Sequence, residues 1–208
     1  SIAFESFDNR PILSIRINGD KQPLKFVLDT GSGMSVISDL TAKKIGWKAV
    51  ARGGMARAVG GGGKFEIVYG YVNSIEIGDV KVENVPVYIR HFFDTNIPVD
   101  GYLGLSVVSK FLASLDYGNR QITLLRQNQS DITESWTQLR RGESAQSLIP
   151  IVPNDAAIEV PLRTTSSGFL SGEVGLVGFD KTLNFIIDTA ASITVISEKL
   201  SQQEQLLD

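Results

Sequence analysis

The 208-residue chain has no cysteine and a single histidine, His91. Disulfides, thiolate nucleophiles and cysteine-bound zinc are thereby excluded, as is any chemistry that needs two histidines. A basic surplus is missing too. Twenty Lys and Arg stand against 23 Asp and Glu, a formal net charge of −3, so no partner among nucleic acids or anionic membrane faces is expected. No apolar run reaches the roughly 18 residues of a membrane-spanning helix. The N-terminal SIAFESFDNR lacks the charge-then-apolar pattern of a signal peptide. Helical signals are few.

What is present is glycine, 20 residues of it, between short segments rich in Val and Ile. Residues 12–17 alternate apolar and polar as a half-buried strand does. Asn18-Gly19-Asp20 reads as a turn, and 24–28 as the returning strand. Further strands are predicted at 65–71, 72–77, 80–82, 85–89 and 122–125, with turns at Gly78-Asp79 and Gly118-Asn119. Ser38-Asp39 opens a capped helix ending at Gly46, and 109–112 reads as a helical turn. The polar stretch 128–147 reads as linker. Many short strands with small turns predict a mostly β, barrel-like lobe.

Comparing the chain with itself gives the decisive pattern. Residues 19–38, GDKQPLKFVLDTGSGMSVIS, align without a gap on 178–197, GFDKTLNFIIDTAASITVIS, at a separation of 159. Eight of the twenty positions are identical, where chance gives roughly one or two. The shared centre is a carboxylate inside an apolar run, Asp29 in one copy and Asp188 in the other. An unpaired carboxylate at a buried strand end costs several kcal/mol unless it is hydrogen-bonded or shares a proton. Gly31 and Gly33 allow a tight turn and close approach of another segment, while Thr30 supplies a short hydroxyl to brace a partner loop. Two such loops face to face bring two carboxylates to about 3 Å, where the pair holds one proton. The ionised member then takes a proton from water and the protonated one polarises a carbonyl. VGGGGK at 59–64 is not a phosphate loop, because the Lys-Ser/Thr ending is missing and a strand pattern follows it. His91 reads as a loop or edge residue.

FVLDTGSGMSVIS together with DGYLGLSVVSKF at 100–111 resembles the retropepsin-like aspartic peptidases, in particular a bacterial type in which one chain carries two lobes. The resemblance implies that Tyr102-Leu103-Gly104 is the apolar-apolar-Gly strand crossing beneath the catalytic loop. It also implies a substrate-covering flap at Ala58 to Phe65, with Val59, Gly60, Gly61, Gly62 and Gly63 at its heart. LASLDYGNRQITL at 112–124 resembles the hairpin that closes the lobe. The second copy departs from the pattern. Ala190 and Ala191 replace Gly31 and Ser32, so a methyl crowds the approach, and only 20 residues follow Asp188.

The organisation expected is a retropepsin-like (acid protease) β-barrel lobe at 1–127, a linker at 128–156, and the beginning of a second similar lobe at 157–208, as in a fragment of a longer protein. The expected function is aspartic endopeptidase activity on polypeptide substrates. Asp29 and Asp188 are the catalytic carboxylates, supported by Thr30, Gly31 and Thr189, with no metal or organic cofactor. The alternative is a catalytically retired peptide-binding or structural domain of the same fold. Two completions of the site stay open: a homodimer that sets Asp29 opposite Asp29, or a missing segment of the second lobe. Export, to a periplasm, envelope or medium, is what the family resemblance implies.

Overall fold

A computed structural model of the chain describes residues 1–57, 64–92, 98–126, 160–166 and 168–204. The expected flap residues Val59, Gly60, Gly61, Gly62 and Gly63 lie outside the described residues, as does the expected linker.

The alternating segment forms β3 (Arg10–Ile17), with Leu13, Ile15 and Ile17 buried and Ser14 and Arg16 outward. Asn18 and Gly19, both at positive φ, turn the chain into β4 (Leu24–Leu28). β4 pairs antiparallel with β3, Ile12 opposite Val27 and Ile15 opposite Leu24. Next come β5 (Ser35–Ser38) and helix α1 (Asp39–Lys44). The Thr41 N–H donates to Ser38 Oγ at 3.0 Å, which satisfies one free donor of the first turn. Gly46, at φ 66°, lies just beyond the helix.

Pairs of predicted strands merge. Residues 64–77 are one strand, β7 (Lys64–Ile77), and 80–90 another, β8 (Val80–Arg90). They pair from Ile77 opposite Val80 out to Val68 opposite Ile89, and the ladder passes Asn84, at φ 53°, without ending. β6 (Ala51–Arg57) lies along β7. The helical turn expected at 109–112 sits one turn earlier, as α2 (Leu105–Val108). It starts where Leu105 N–H and Ser106 N–H donate to the carbonyls of Ser32 and Gly33, at 2.8 and 2.9 Å. Phe111 instead begins β10 (Phe111–Asp116), which pairs with β11 (Gln121–Arg126). Periodicity over so few residues could not separate the two assignments.

With β9 (Gly101–Leu103), the order β3-β4-β9-β5-β8-β7 closes on itself because β7 also pairs with β3, Ile15 opposite Ile77. The result is a closed six-stranded barrel. Phe26, Ile37, Ile75, Val87, Leu103 and Val107 fill it, all fully buried. β2 (Glu5–Phe7) extends the sheet from β3. A separate sheet of β1 (Ile2–Ala3), β11 and β10 adds Ile122 to the same core.

The second repeat is built to the same pattern. β12 (Leu162–Thr164), β13 (Leu170–Gly175) and β14 (Thr182–Ile186) form a three-stranded sheet. Ser171 lies opposite Ile186, the register of Ile12 and Val27 displaced by 159. Helix α3 (Glu198–Gln203) repeats α1 at the same displacement, down to a cap in which Leu200 N–H donates to Ser197 Oγ. Among the described residues, however, nothing covers the apolar face of this second unit. Ile186 is 46% exposed where Val27 is 0% exposed. Residues 194–197, the copy of β5, are not a strand. The strands that flank β5, namely β8 and β9, have no counterpart among the described residues.

Candidate active site

Two neighbouring strands fix the end of β4. β9 lies parallel to it, Leu28 beside Leu103, and Asp29 N–H donates to the Leu103 carbonyl at 3.0 Å. β9 must run close under the loop that follows. A Cβ on Gly104 would stand 2.5 Å from the Met34 carbonyl oxygen and 2.8 Å from that of Ser32. Only glycine admits that approach, so the spacing of Gly104 from the Asp-Thr-Gly turn has a steric cause. Asp100 ties the junction together. Its carboxylate accepts Lys25 N–H at 2.8 Å and the Thr41 hydroxyl at 2.7 Å.

The second loop meets the first through a reciprocal set of four bonds. Thr30 Oγ1 donates to the Ile187 carbonyl and Thr189 Oγ1 to the Leu28 carbonyl, both at 2.7 Å. Thr30 N–H donates to Thr189 Oγ1 at 3.2 Å and Thr189 N–H to Thr30 Oγ1 at 3.1 Å. Each bond has its mate 159 positions away, so the two loops are related by a local pseudo-two-fold.

That pairing lays the Asp188 carboxylate on the backbone of Gly31. A Cβ there would stand 2.5 and 2.8 Å from the two Asp188 oxygens. Asp188 Oδ1 accepts Ala190 N–H at 2.8 Å. Asp29 is half-buried and Asp188 exposed. Burial, with the Asp188 charge adding to it, pushes the Asp29 carboxyl up from 3.8 to about 7, against donation from the Gly31 and Ser32 N–H groups. The structure therefore brings Asp29, Thr30, Gly31, Asp188 and Thr189 to one place. The Ala190 methyl packs on the outer face of the barrel with Ile12, Val27, Val99 and Tyr102.

The expected flap can be described only at its arms. β6 and β7 stay paired to Arg57 opposite Lys64. His91 is outside the site, on the outer surface, with Nδ1 3.1 Å from the Asp39 carboxylate. Among the described residues, no group of His, Asp or Glu converges as a metal site, and no helix is long and apolar enough to cross a membrane.

Arg10 escaped the sequence reading. Its guanidinium reaches the second loop, Nε donating to the Ala190 carbonyl at 2.6 Å. No sequence signal marks such a contact, because the partner is backbone.

An aspartyl protease family model matches residues 13–107. Among solved structures, the chain is similar to a retropepsin-like aspartic protease from Rickettsia conorii, at 20% identity and a TM-score of 0.44, over 56% of this chain and 83% of that one. No curated protein matches the chain.

Proposed function

Residues 13–107 belong to the retropepsin-like aspartic peptidases, and from that premise we propose that the chain hydrolyses peptide bonds in polypeptide substrates with a water activated by Asp29 and Asp188. The observation that carries this reading is the reciprocal bonding of Thr30 and Thr189, which holds two carboxylate loops face to face. Asp29, with its raised pKa, holds the proton shared by the pair and donates a hydrogen bond to the scissile carbonyl. Asp188 takes a proton from the attacking water. No covalent intermediate forms. In the same reading, 1–127 is one lobe, 128–156 a linker and 157–208 the beginning of a second lobe. The glycine-rich residues 59–63 cover bound substrate. In this reading one chain supplies both carboxylates, which is supported by the Asp188 carboxyl lying on the backbone of Gly31, two residues from Asp29.

A pool of unstructured peptides, assayed from pH 3 to 9 and read by mass spectrometry, tests this. Wild type should cleave below neutrality and lose activity as pH rises through about 7, where Asp29 gives up its proton. Asp29→Asn and Asp188→Asn should each abolish cleavage. Full activity in Asp29→Asn would sink the proposal.

A second reading is favoured by Ala190 and by the uncovered face of the second repeat, where Ile193 is 73% and Val195 63% exposed. In it the chain binds extended peptides without cutting them. Saturable peptide binding with no cleavage at any pH would select that reading.

A further inference from the structure

The two loops of the site are held by different means. In the first, the carbonyls of Ser32 and Gly33 accept the N–H groups of Leu105 and Ser106, so the β9–α2 junction fixes the loop from behind. The corresponding residues of the second loop are Ala191 and Ser192. Among the described residues, no backbone N–H donates to either of their carbonyls. Beyond the threonine pair, one barrel side chain among the described residues hydrogen-bonds to the second loop. Arg10 Nε donates to the Ala190 carbonyl at 2.6 Å, and a terminal guanidinium nitrogen of Arg10 donates to Ser192 Oγ at 3.2 Å.

Arg10 is well placed to act as a fixed clamp. Asp8 and Asn9, at φ 50° and 60°, make the two-residue turn between β2 and β3, a left-handed pair whose twist suits a tight hairpin. That turn sets Arg10 opposite Phe7 at the start of β3. The Asp8 carboxylate accepts the remaining terminal nitrogen at 3.2 Å. The Arg10 side chain is only 23% exposed, against 56% for Asp8. All three guanidinium nitrogens are thus engaged, one by its own hairpin and two by the other loop. A planar fork can do this; an ammonium, a single charged point, cannot hold the same two acceptors in the same geometry.

We propose that Arg10, aimed by Asp8, is a positioning residue that locks Ala190 and Ser192 and thereby keeps Asp188 facing Asp29. It replaces, for the second loop, the backing that β9 and α2 give the first. The proposal rests on the reading of Asp29 and Asp188 as the catalytic pair. It predicts that loss of the clamp moves one carboxylate away from the other while the barrel remains folded, because Arg10 contributes nothing to the barrel interior.

The test compares wild type with Arg10→Gln, Arg10→Lys and Asp8→Asn in the full chain. Three quantities are read: kcat and KM on a cleaved peptide, the carboxyl titration of Asp29 by carbon-13 NMR, and the amide shifts of Thr189 and Ala190. Arg10→Gln should lower kcat by roughly tenfold to a hundredfold, as loose positioning of a reacting group does, with KM changed by less than about threefold. Its Asp29 titration should move down from about 7, because the Asp188 charge recedes, and the Thr189 and Ala190 amides should shift. Arg10→Lys should not restore kcat, and Asp8→Asn should fall between. An active wild type whose kcat, titration and amide shifts survive Arg10→Gln overturns the proposal. A wild type that does not cleave overturns the catalytic reading instead. The clamp is then still decided by the amide shifts: displacement in Arg10→Gln supports it, and unchanged shifts refute it.

Discussion

At the scale of single residues, the site turns on the environment of Asp29. A carboxylate whose folded-state pKa lies above its unfolded value holds its proton more tightly when folded. Its stabilising contribution is complete below the unfolded value and is lost as pH rises through the folded one. For Asp29 the window runs from 3.8 to about 7. Full burial would make such a shift worth about 4 kcal/mol. Asp29 is half-buried, and screening reduces the expected figure to roughly 1–2 kcal/mol. Wild type should therefore lose that much stability, in urea unfolding, between pH 4 and pH 8. Asn at position 29 has no charge to bury, so Asp29→Asn should flatten this part of the profile and be the more stable protein at pH 8. Equal slopes for the two proteins would mean that Asp29 ionises as freely in the folded state as in the unfolded one. The identity of Asp29 as the key residue was legible in the sequence, because a carboxylate flanked by apolar residues and glycines is costly without a purpose. Arg10 was not legible. Its partners are a carbonyl and a hydroxyl some 180 positions away, and nothing in the local pattern at position 10 marks them.

At the scale of elements, β9 carries more than its three residues suggest. It joins β4 to β5, receives the Asp29 N–H and runs so close beneath the loop that Gly104 has no room for a side chain. The obstructing atoms are backbone carbonyls, which cannot swing aside as a flexible side chain would. Gly104→Ala should lower stability by about 3 kcal/mol, the upper part of the range for overpacking. It should also reduce cleavage further than the stability loss explains, because the Ser32 and Met34 backbone it displaces follows Asp29 directly. A urea midpoint within error of wild type would refute the steric argument. Helix α1 could be read in advance because it carries its own punctuation, Ser-Asp before it and Gly after it, whereas strand β9 was expected only through the family resemblance of Tyr102-Leu103-Gly104. The boundaries of α2 could not. Its start is set by carbonyls of the Asp29 loop, a tertiary influence that no window around 105–112 contains. The merging of two predicted strands into β7 has the same origin, since a ladder with β8 overrides local breaks.

At the scale of the whole molecule, two copies of one sequence pattern meet different fates, and the difference isolates what closure contributes. Both copies form the hairpin, in the same register, and both cap the following helix with serine. Those features are local, and the repeat in the sequence already contained them. Closure is not local. The first copy gains β9, β8 and β7, and Val27 and Leu28 become almost wholly buried. In the second, Ile186 and Ile187 remain 46% and 38% exposed. A strand in a closed barrel has no free edge and exchanges its amide hydrogens only through global opening, whereas a three-stranded sheet with an uncovered face opens by itself. Amides of β4 should consequently exchange more slowly than those of β14 by on the order of a hundredfold, about 3 kcal/mol of opening free energy. The Thr189 amide should stand out within its own unit. It is held by Thr30 Oγ1 across the pseudo-two-fold, so it should be protected beyond the neighbouring residues of the 187–195 loop, and Thr30→Val should remove that excess selectively. Uniform protection across both copies would show instead that the two units open together, and that the threonine pair couples them as strongly as a shared core does.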